Sequence, residues 1–212
     1  MKITKYAHAC FTVEKAGTLL VVDPGAYTTD LPALESVIAI LITHEHADHF
    51  DSTALGAIIA HNPNATVYAH QSITSQLGNT LPTTAVSVGE CISVGPFTVD
   101  FIGGEHAVIH PTFPSIPNLG IMINDSLYYP GDSYVLPDKA VDTLALPVAA
   151  PWMKMSEAFD FLLAVKPRLV FPTHDAILSS AGMNLVDRMT QTFAHQVGAT
   201  YERLSAPIDI NG

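Results

Sequence analysis

The sequence has 212 residues, of which 48% are hydrophobic and 14% charged, and its formal net charge is −11. This apolar content excludes a disordered chain, and the length suits one domain over residues 1–212. The acidic balance argues against a nucleic-acid partner, because a negative protein repels the phosphate backbone.

The amino-terminal stretch, MKITKYAHACFTVE, lacks the apolar core of a signal peptide. No segment reaches the ~18 apolar residues of a membrane span. We therefore expect a cytoplasmic protein with no membrane partner. Two cysteines, Cys10 and Cys91, are too few for a disulfide framework and predict two buried thiols. The apolar runs permit a homo-oligomer.

In the first quarter of the chain, apolar and polar residues alternate over residues 3–13, which predicts a strand. A second strand at residues 18–23 ends in Asp23-Pro24-Gly25. The continuous β-branched and aliphatic run at 37–43 is typical of an interior strand. Asp51-Ser52-Thr53 then predicts a helix start, with the helix reaching about Ala60.

The rest of the chain mixes strands with helices. Strands are predicted at residues 66–69, 85–88, 91–94, 97–102, 120–123, 127–129, 141–147, 168–171 and 201–204. Helices are predicted at 70–77, at 156–166 with Ser156 as N-cap, and at 184–197. Three prolines at 110–117 indicate a surface loop. Two halves of strands followed by helices suit an α/β (α+β) fold, a four-layer αββα sandwich.

The densest chemical signal is His44-Glu45-His46-Ala47-Asp48-His49, directly after the interior strand. A strand end is a rigid base from which the following loop can turn several side chains toward one point. Imidazole and carboxylate together suit zinc, iron or manganese. We interpret the run as part of a metal site rather than as an exposed polar loop.

A catalytic metal needs further ligands from elsewhere in the chain. Three residues occur in the same context, an apolar strand followed by a turn residue and then a ligand-type side chain. They are His106 after Gly103-Gly104, Asp132 after Pro130-Gly131, and His174 after Pro172-Thr173.

Together these motifs resemble the metallo-β-lactamase superfamily, with His-x-His-x-Asp-His followed by a downstream His, an Asp in a Gly-Asp-Ser turn, and a late His. The flanks His8-Ala9-Cys10-Phe11, Asp23-Pro24-Gly25, Leu146-Pro147 and Pro172-Thr173-His174-Asp175 resemble a subgroup of small cytoplasmic metal-dependent hydrolases that includes ascorbate-phosphate lactonase-like proteins. The resemblance implies the metallo-β-lactamase fold, and it leaves the substrate open.

The resemblance also implies a ligand set for two divalent metal ions, most simply zinc, with manganese or iron as alternatives. His44, His46 and His106 would hold the first ion, Asp48, His49 and His174 the second, and Asp132 would bridge them. Ions ~3.5–4 Å apart can share a hydroxide that attacks a carbonyl carbon or a phosphorus atom. Asp48 would also orient the nucleophile or pass a proton to the leaving group.

Five other residues are candidates for supporting roles. His8 ends the first predicted strand and is either a catalytic or substrate-contacting group or an ordinary polar strand end. Asp23 is predicted to hydrogen-bond to a ligand histidine. His110, Trp152 and Lys154 lie in loops that could contact substrate, although a solvated His110 and an exposed Lys154 at a helix start are the simpler interpretations.

The sequence therefore predicts a metal-dependent hydrolase acting on a small ester, lactone or phosphate-bearing metabolite. One alternative is an iron-dependent oxidoreductase, such as a sulfur dioxygenase, on the same scaffold. A nuclease or phosphodiesterase is another, disfavoured by the net charge. A non-catalytic metal-binding module is the third.

Overall fold

The computed structural model describes residues Met1 to Gly212 and contains 14 strands and four helices. The strands are β1 (Lys2–Lys5), β2 (Phe11–Lys15), β3 (Thr18–Val22), β4 (Val37–Leu41), β5 (Thr66–Ala69), β6 (Thr83–Ala85), β7 (Cys91–Val94), β8 (Phe97–Glu105), β9 (Pro117–Ile123), β10 (Leu127–Tyr129), β11 (Thr143–Pro147), β12 (Leu169–Thr173), β13 (Thr200–Tyr201) and β14 (Ile208–Asp209). The helices are α1 (Ser52–His61), α2 (Gln71–Leu77), α3 (Met155–Val165) and α4 (Ser180–Gln196).

The strands form two seven-stranded mixed sheets, in the orders β14-β1-β2-β3-β4-β5-β6 and β13-β12-β11-β10-β9-β8-β7. In the second sheet β10, β11 and β12 pair in parallel. Strand β8 has the same direction as β10, because both pair antiparallel with β9. The carboxyl ends of β8, β10 and β12 therefore lie on one edge of the sheet, and the loops that follow them leave from that edge.

Apolar side chains pack in three layers. The largest core lies between the sheets, where Phe11 of β2 meets Phe171 of β12 with ring centroids 5.8 Å apart. A second core joins Leu55 of α1 to Ile40 of β4, and a third joins Phe161 of α3 to the other face of the second sheet. The predicted four-layer αββα sandwich is therefore confirmed.

Side-chain capping sets the start of α1 and α4, but not of α3. Asp51 is the N-cap of α1, as predicted, and its carboxylate accepts from the amides of Thr53 and Ala54. The prediction of Ser156 as an N-cap is wrong, because α3 begins at Met155 with Lys154 at the cap position and no side-chain cap bond. Helix α4 begins at Ser180, four residues before the predicted start, because Ser179 caps the Gly182 amide.

The predicted first strand is in fact two strands, β1 and β2, joined by a tight turn that contains His8 with a φ of 58°. His8 therefore does not end a strand. It lies in a left-handed backbone conformation that ordinary residues rarely adopt. The short strand β14, which was not predicted, pairs with β1 and closes the edge of the first sheet.

Of the two cysteines, Cys10 is buried and Cys91 is exposed. The prediction of a buried thiol is wrong for Cys91, because β7 is an edge strand with one face toward solvent. None of the four helices combines the length and apolar content needed to cross a membrane. The cytoplasmic location stays a prediction.

Candidate metal centre

The loop between β4 and α1 carries the histidine-rich run, residues 44–49. Within it, the amides of His49 and Phe50 both bond to the carbonyl of His46, at 3.0 and 2.9 Å. This turn buries the rings of His44 and His49 completely. Glu45 points away, toward Gln76 of α2, whose amide lies 3.2 Å from its carboxylate.

The three remote residues meet this loop from the edge of the second sheet. His106 follows β8, Asp132 follows β10, and His174 follows β12. Together the side chains form two groups, in each of which the ligand-type atoms lie within 4.8 Å of one another. The first group, group A, contains His44, His46, His106 and Asp132, and the second, group B, contains His8, Asp48, His49 and His174.

Asp132 lies between the two groups. Its carboxylate oxygens are 3.4 Å from His106 Nε2 on one side, and 3.2 Å from His49 Nε2 and 3.1 Å from His174 Nε2 on the other. Its own backbone amide donates to Asn118 Oδ1 at 3.0 Å. One carboxylate therefore contacts imidazoles from both groups.

Ring orientation is set by hydrogen bonds on the far side of each imidazole. His106 Nδ1 and His174 Nδ1 each lie 2.5 Å from a backbone carbonyl oxygen, of Ala107 and Ala149 respectively. Carbonyls only accept, so these nitrogens carry protons, and Nε2 is the ring atom that faces the cluster. His46 instead presents Nδ1, 3.2 Å from His44 Nε2.

Asp23 orients imidazole rings of the 44–49 loop in the same way, by hydrogen bonds on their far side. It is fully buried, and its carboxylate lies 2.7 Å from His49 Nδ1 and accepts from the Thr43 amide and hydroxyl at 2.8 and 2.6 Å. Since the hydroxyl proton goes to Asp23, Thr43 Oγ1 accepts from His44 Nδ1, 3.0 Å away. Asp23 therefore orients two imidazoles, one directly and one through Thr43.

The cluster contains polar atoms that the protein leaves without partners. The Nε2 atoms of His49, His106 and His174 and Oδ1 of Asp132 are buried and accept or donate no hydrogen bond. Such groups are costly unless something else satisfies them. Converging imidazole nitrogens and carboxylate oxygens fit a divalent cation, with no change in the side chains present.

The pKa shifts of three cluster residues, His44, His46 and Asp132, agree with that donor chemistry. Burial holds the pKa of His44 well below its ordinary value, and burial also lowers the pKa of His46. For Asp132 burial works in the opposite direction, but the neighbouring imidazoles, His49 foremost, keep the pKa of its carboxyl well below the usual range.

His49 and His174 shift in the other direction: burial opposes the charged ring, but Asp132 and Asp23 hold the pKa of His49 well above its ordinary value, and Asp132 and Asp48 raise the pKa of His174 to about 9. A metal ion would have to displace the extra protons from these two rings, because histidine binds metal ions in its neutral form.

His8 belongs to group B through Asp48. Its Nε2 lies 3.0 Å from Asp48 Oδ2, and its Nδ1 accepts from the Ala176 amide at 3.3 Å. The proton must then be on Nε2, so His8 donates to Asp48. Its carbonyl is held from two sides, by the His174 amide at 3.0 Å and by the buried ammonium of Lys5 at 2.6 Å.

The remaining predicted residues divide between the site and the surface. Trp152 is buried and its indole N–H donates to Asp132 Oδ2 at 2.7 Å. His110 lies in the loop after β8, with Nδ1 2.8 Å from Thr112 Oγ1. The structure does not bring Lys154 to the site: its side chain is 81% exposed and its nearest carboxylate, Glu157, is 4.0 Å away.

Sequence reasoning missed two supporting residues, Thr43 and Asn118. Asn118 is fully buried and bridges the β10 turn, accepting from the Asp132 amide and donating to the Pro130 carbonyl at 2.9 Å. Its only sequence signal is a lone amide beside the apolar run of β9. Thr43 gives no signal, because threonine is common in strands.

Two cavities adjoin the cluster. The cluster cavity, of about 320 Å³, is lined by Tyr27, His46, Asp48, His106, Ile109, Asp132, Pro151, Trp152, His174 and Ile177. The loop cavity, of about 400 Å³, is lined by His46 and by ten residues of the loop 106–116. His46, His106 and Ile109 line both cavities, so the loop cavity opens beside the side chains of the candidate metal ligands.

Comparison with known proteins agrees with this geometry. A family model described as the beta-lactamase superfamily domain matches residues 2–174. The chain belongs to the beta-lactamase superfamily. Protein Rv0786c of Mycobacterium tuberculosis is 42% identical over 184 residues, covering 84% of this chain and 86% of the relative.

A more distant relative, from Methanocaldococcus jannaschii, is named a UPF0173 metal-dependent hydrolase; it is 28% identical over 81% of this chain and 83% of its own. The metallo-β-lactamase fold protein YhfI of Bacillus subtilis superposes with a TM-score of 0.72 at 17% identity, covering 98% of each chain. The fold of this superfamily member is therefore the metallo-β-lactamase fold, as predicted. The narrower likeness to ascorbate-phosphate lactonase-like proteins stays a prediction.

The close approach of Gly25 to the 44–49 loop yields a test of how that loop is positioned. A Cβ atom on Gly25 would lie 2.0 Å from the carbonyl oxygen of Asp48, whereas one on Gly56 of α1 would meet no atom within 4 Å. We expect Gly25→Ala to lower the free energy of unfolding by about 3 kcal/mol or more, because backbone must move. The matched control Gly56→Ala should raise it by about 0.5–1 kcal/mol, since alanine favours the helix. Urea unfolding followed by circular dichroism measures both, and equal effects would contradict the packing argument.

Proposed function

We propose that this protein is a dinuclear metal-dependent hydrolase that acts on a small ester, lactone or phosphate-bearing metabolite. The single observation that carries the proposal is the position of Asp132, whose carboxylate contacts imidazoles of both ligand groups. In this proposal His44, His46 and His106 hold one ion, Asp48, His49 and His174 hold the other, and Asp132 is shared. Zinc is the simplest choice for this donor set.

When bound, the two ions would lower the pKa of water and polarise the oxygen of the scissile group. The chain itself supplies the orientation and the proton path. His8 donates to Asp48 Oδ2 and is in turn held by the Ala176 amide, so His8 would orient the Asp48 carboxylate, and Asp48 would be the group that exchanges a proton with the leaving group. Buried Trp152 donates to the Asp132 carboxylate and buried Asn118 accepts from the Asp132 backbone amide, so both the side chain and the backbone of the shared residue are held.

The ligand assignment predicts the effect of removing single donors. In Asp132→Ala, both ions lose a donor, so metal content should fall below that of the wild type and hydrolysis should be abolished. In His46→Ala, only the ion of group A should be lost. Elemental analysis after zinc loading measures the stoichiometry, and a panel of esters, lactones and phosphodiesters measures turnover. Unchanged activity in either variant would refute the assignment.

The role of Asp23 predicts a weaker but specific effect. Asp23→Ala removes the acceptor that orients His49 and, through Thr43, His44. We expect metal affinity to fall about 10- to 100-fold while the fold is retained. Titration against a chromogenic chelator gives the affinity, and exposed Asp138→Ala is the matched loss of a carboxylate away from the cluster. Equal affinities in the two variants would argue that Asp23 only stabilises the turn.

An iron-dependent oxidoreductase is the second candidate, and the observation that favours it is the absence of cysteine from both ligand groups. Imidazole and carboxylate donors suit iron as well as zinc, and the supply of metal in the cell then decides which ion is bound. Protein purified without added metal separates the candidates. Stoichiometric iron together with oxygen consumption would replace the hydrolase proposal, whereas zinc or manganese with ester or lactone turnover supports it.

A further inference from the structure

We propose that the loop cavity binds an uncharged, apolar chain of the substrate, so that the hydrolase prefers neutral esters or lactones with extended hydrocarbon groups over anionic metabolites. This inference rests on the proposed function and narrows its substrate class. It follows from the lining of the cavity, from its position and from the absence of lysine and arginine from its walls.

The lining of the loop cavity is apolar. Besides His46, His106, His110 and Ser115, its walls are Ala107, Val108, Ile109, Pro111, Phe113, Pro114 and Ile116. Two of these, Val108 and Phe113, are 67% and 61% exposed. Large apolar side chains held in contact with water around a cavity are typical of a binding site whose ligand removes that surface from water.

Exposed apolar residues also converge on the neighbouring cluster cavity. The chain has eight large hydrophobic residues that are exposed, and four of them line the two cavities: Tyr27, Val108, Phe113 and Ile177. These four come from three separate loops. The apolar rim is therefore a product of the tertiary structure and surrounds the mouth of the metal-ligand cluster.

The loop cavity is preformed, because hydrogen bonds and prolines fix the backbone of the loop that lines it. The amide of His106 bonds to the Ile116 carbonyl at 2.9 Å, which closes the loop at its base, and the Ala107 amide bonds to the Asp132 carbonyl at 2.8 Å. Within the loop, the Phe113 amide bonds to the His110 carbonyl at 2.9 Å. Pro111 and Pro114 restrict the remaining backbone freedom. A rigid pocket loses little entropy when it binds a ligand.

Charge argues against an anionic substrate group. The chain has nine lysines and arginines, and none lines either cavity. Lys154 is exposed and faces Glu157, and Arg203 is held by Asp187 and Asp175. A phosphate or carboxylate at the far end of a substrate chain in the loop cavity would find no lysine or arginine to pair with. An uncharged chain needs no cation to pair with, so this environment does not weaken its binding.

Turnover of a matched ester series by the zinc-loaded protein tests the inference. We expect kcat/KM for p-nitrophenyl acetate, butyrate, hexanoate and octanoate to rise about threefold for each methylene added, until the cavity is filled. For an ester of the same length that ends in a carboxylate, kcat/KM should be at least about tenfold lower than for its methyl-terminated partner, because its charge would be desolvated without a partner.

A pair of variants tests the role of the loop. Phe113→Ser should flatten the dependence of kcat/KM on chain length, and Leu185→Ser, which removes an exposed leucine of α4 outside both cavities, should not.

Binding of unreactive probes keeps this inference separate from the proposed function. Straight-chain methyl ketones from five to eleven carbons, titrated calorimetrically into the zinc-loaded protein, should show Kd falling with chain length in the wild type and much less in Phe113→Ser. Such binding with no ester turnover would overturn the hydrolase proposal and leave the pocket assignment standing. Ester turnover with flat Kd and flat kcat/KM across the series would overturn the pocket assignment alone. Self-association that Phe113→Ser abolishes, together with a flat series, would show that the loop is an interface between copies and would also overturn it.

Discussion

The buried carboxylate of Asp132 is the constraint on which the site depends. It is almost inaccessible to water, and it contacts imidazoles from the 44–49 loop, from the end of β8 and from the end of β12. A buried charge is unfavourable unless opposite charge or hydrogen bonds compensate for it. The indole of Trp152 and the imidazoles compensate in part, and the remaining unpartnered nitrogen and oxygen atoms are those that a cation would satisfy. The same carboxylate therefore explains both the strained convergence of loops and the proposed chemistry.

Residues outside the cluster hold the ligand-bearing loops in position. Asp23, Thr43 and Asn118 hold the ligand-bearing loops through bonds to rings and backbone amides, and Gly25 permits a backbone contact that no side chain would allow. His8 and His174 both adopt positive φ, at 58° and 61°, and the carbonyl of one accepts from the amide of the other. Unusual backbone at these two residues is consistent with a site whose geometry the surrounding fold imposes.

In the proposed function, the candidate metal centre and the apolar loop cavity have different roles. The centre would supply the hydrolytic chemistry, which many members of one fold can share, whereas the loop 106–116 would select the substrate. The loop leaves the same strand end that carries His106, and its first residue, Ala107, holds the His106 ring, so its middle part is the part that can vary in shape. The cavity that would select the substrate and the metal centre that would hydrolyse it therefore lie within one continuous opening.

The 44–49 run stood out in the sequence by its density, and the strand-end context made His106, Asp132 and His174 candidates. The resemblance to the metallo-β-lactamase superfamily then selected the full set, which the structure brings together in two groups. The two-sheet architecture was also predictable, since apolar runs of strand length alternate with helical ones. What only the tertiary structure decided is which side chains support the ligands and where the opening lies. Thr43 and Asn118 look like ordinary strand residues. For Lys154 the sequence left open a substrate contact beside the simpler exposed position, which the structure shows, and His8 lies in a turn rather than at a strand end. Hydrogen-bond partners and cavities arise from residues distant in sequence, and local patterns carry no information about which distant groups will meet.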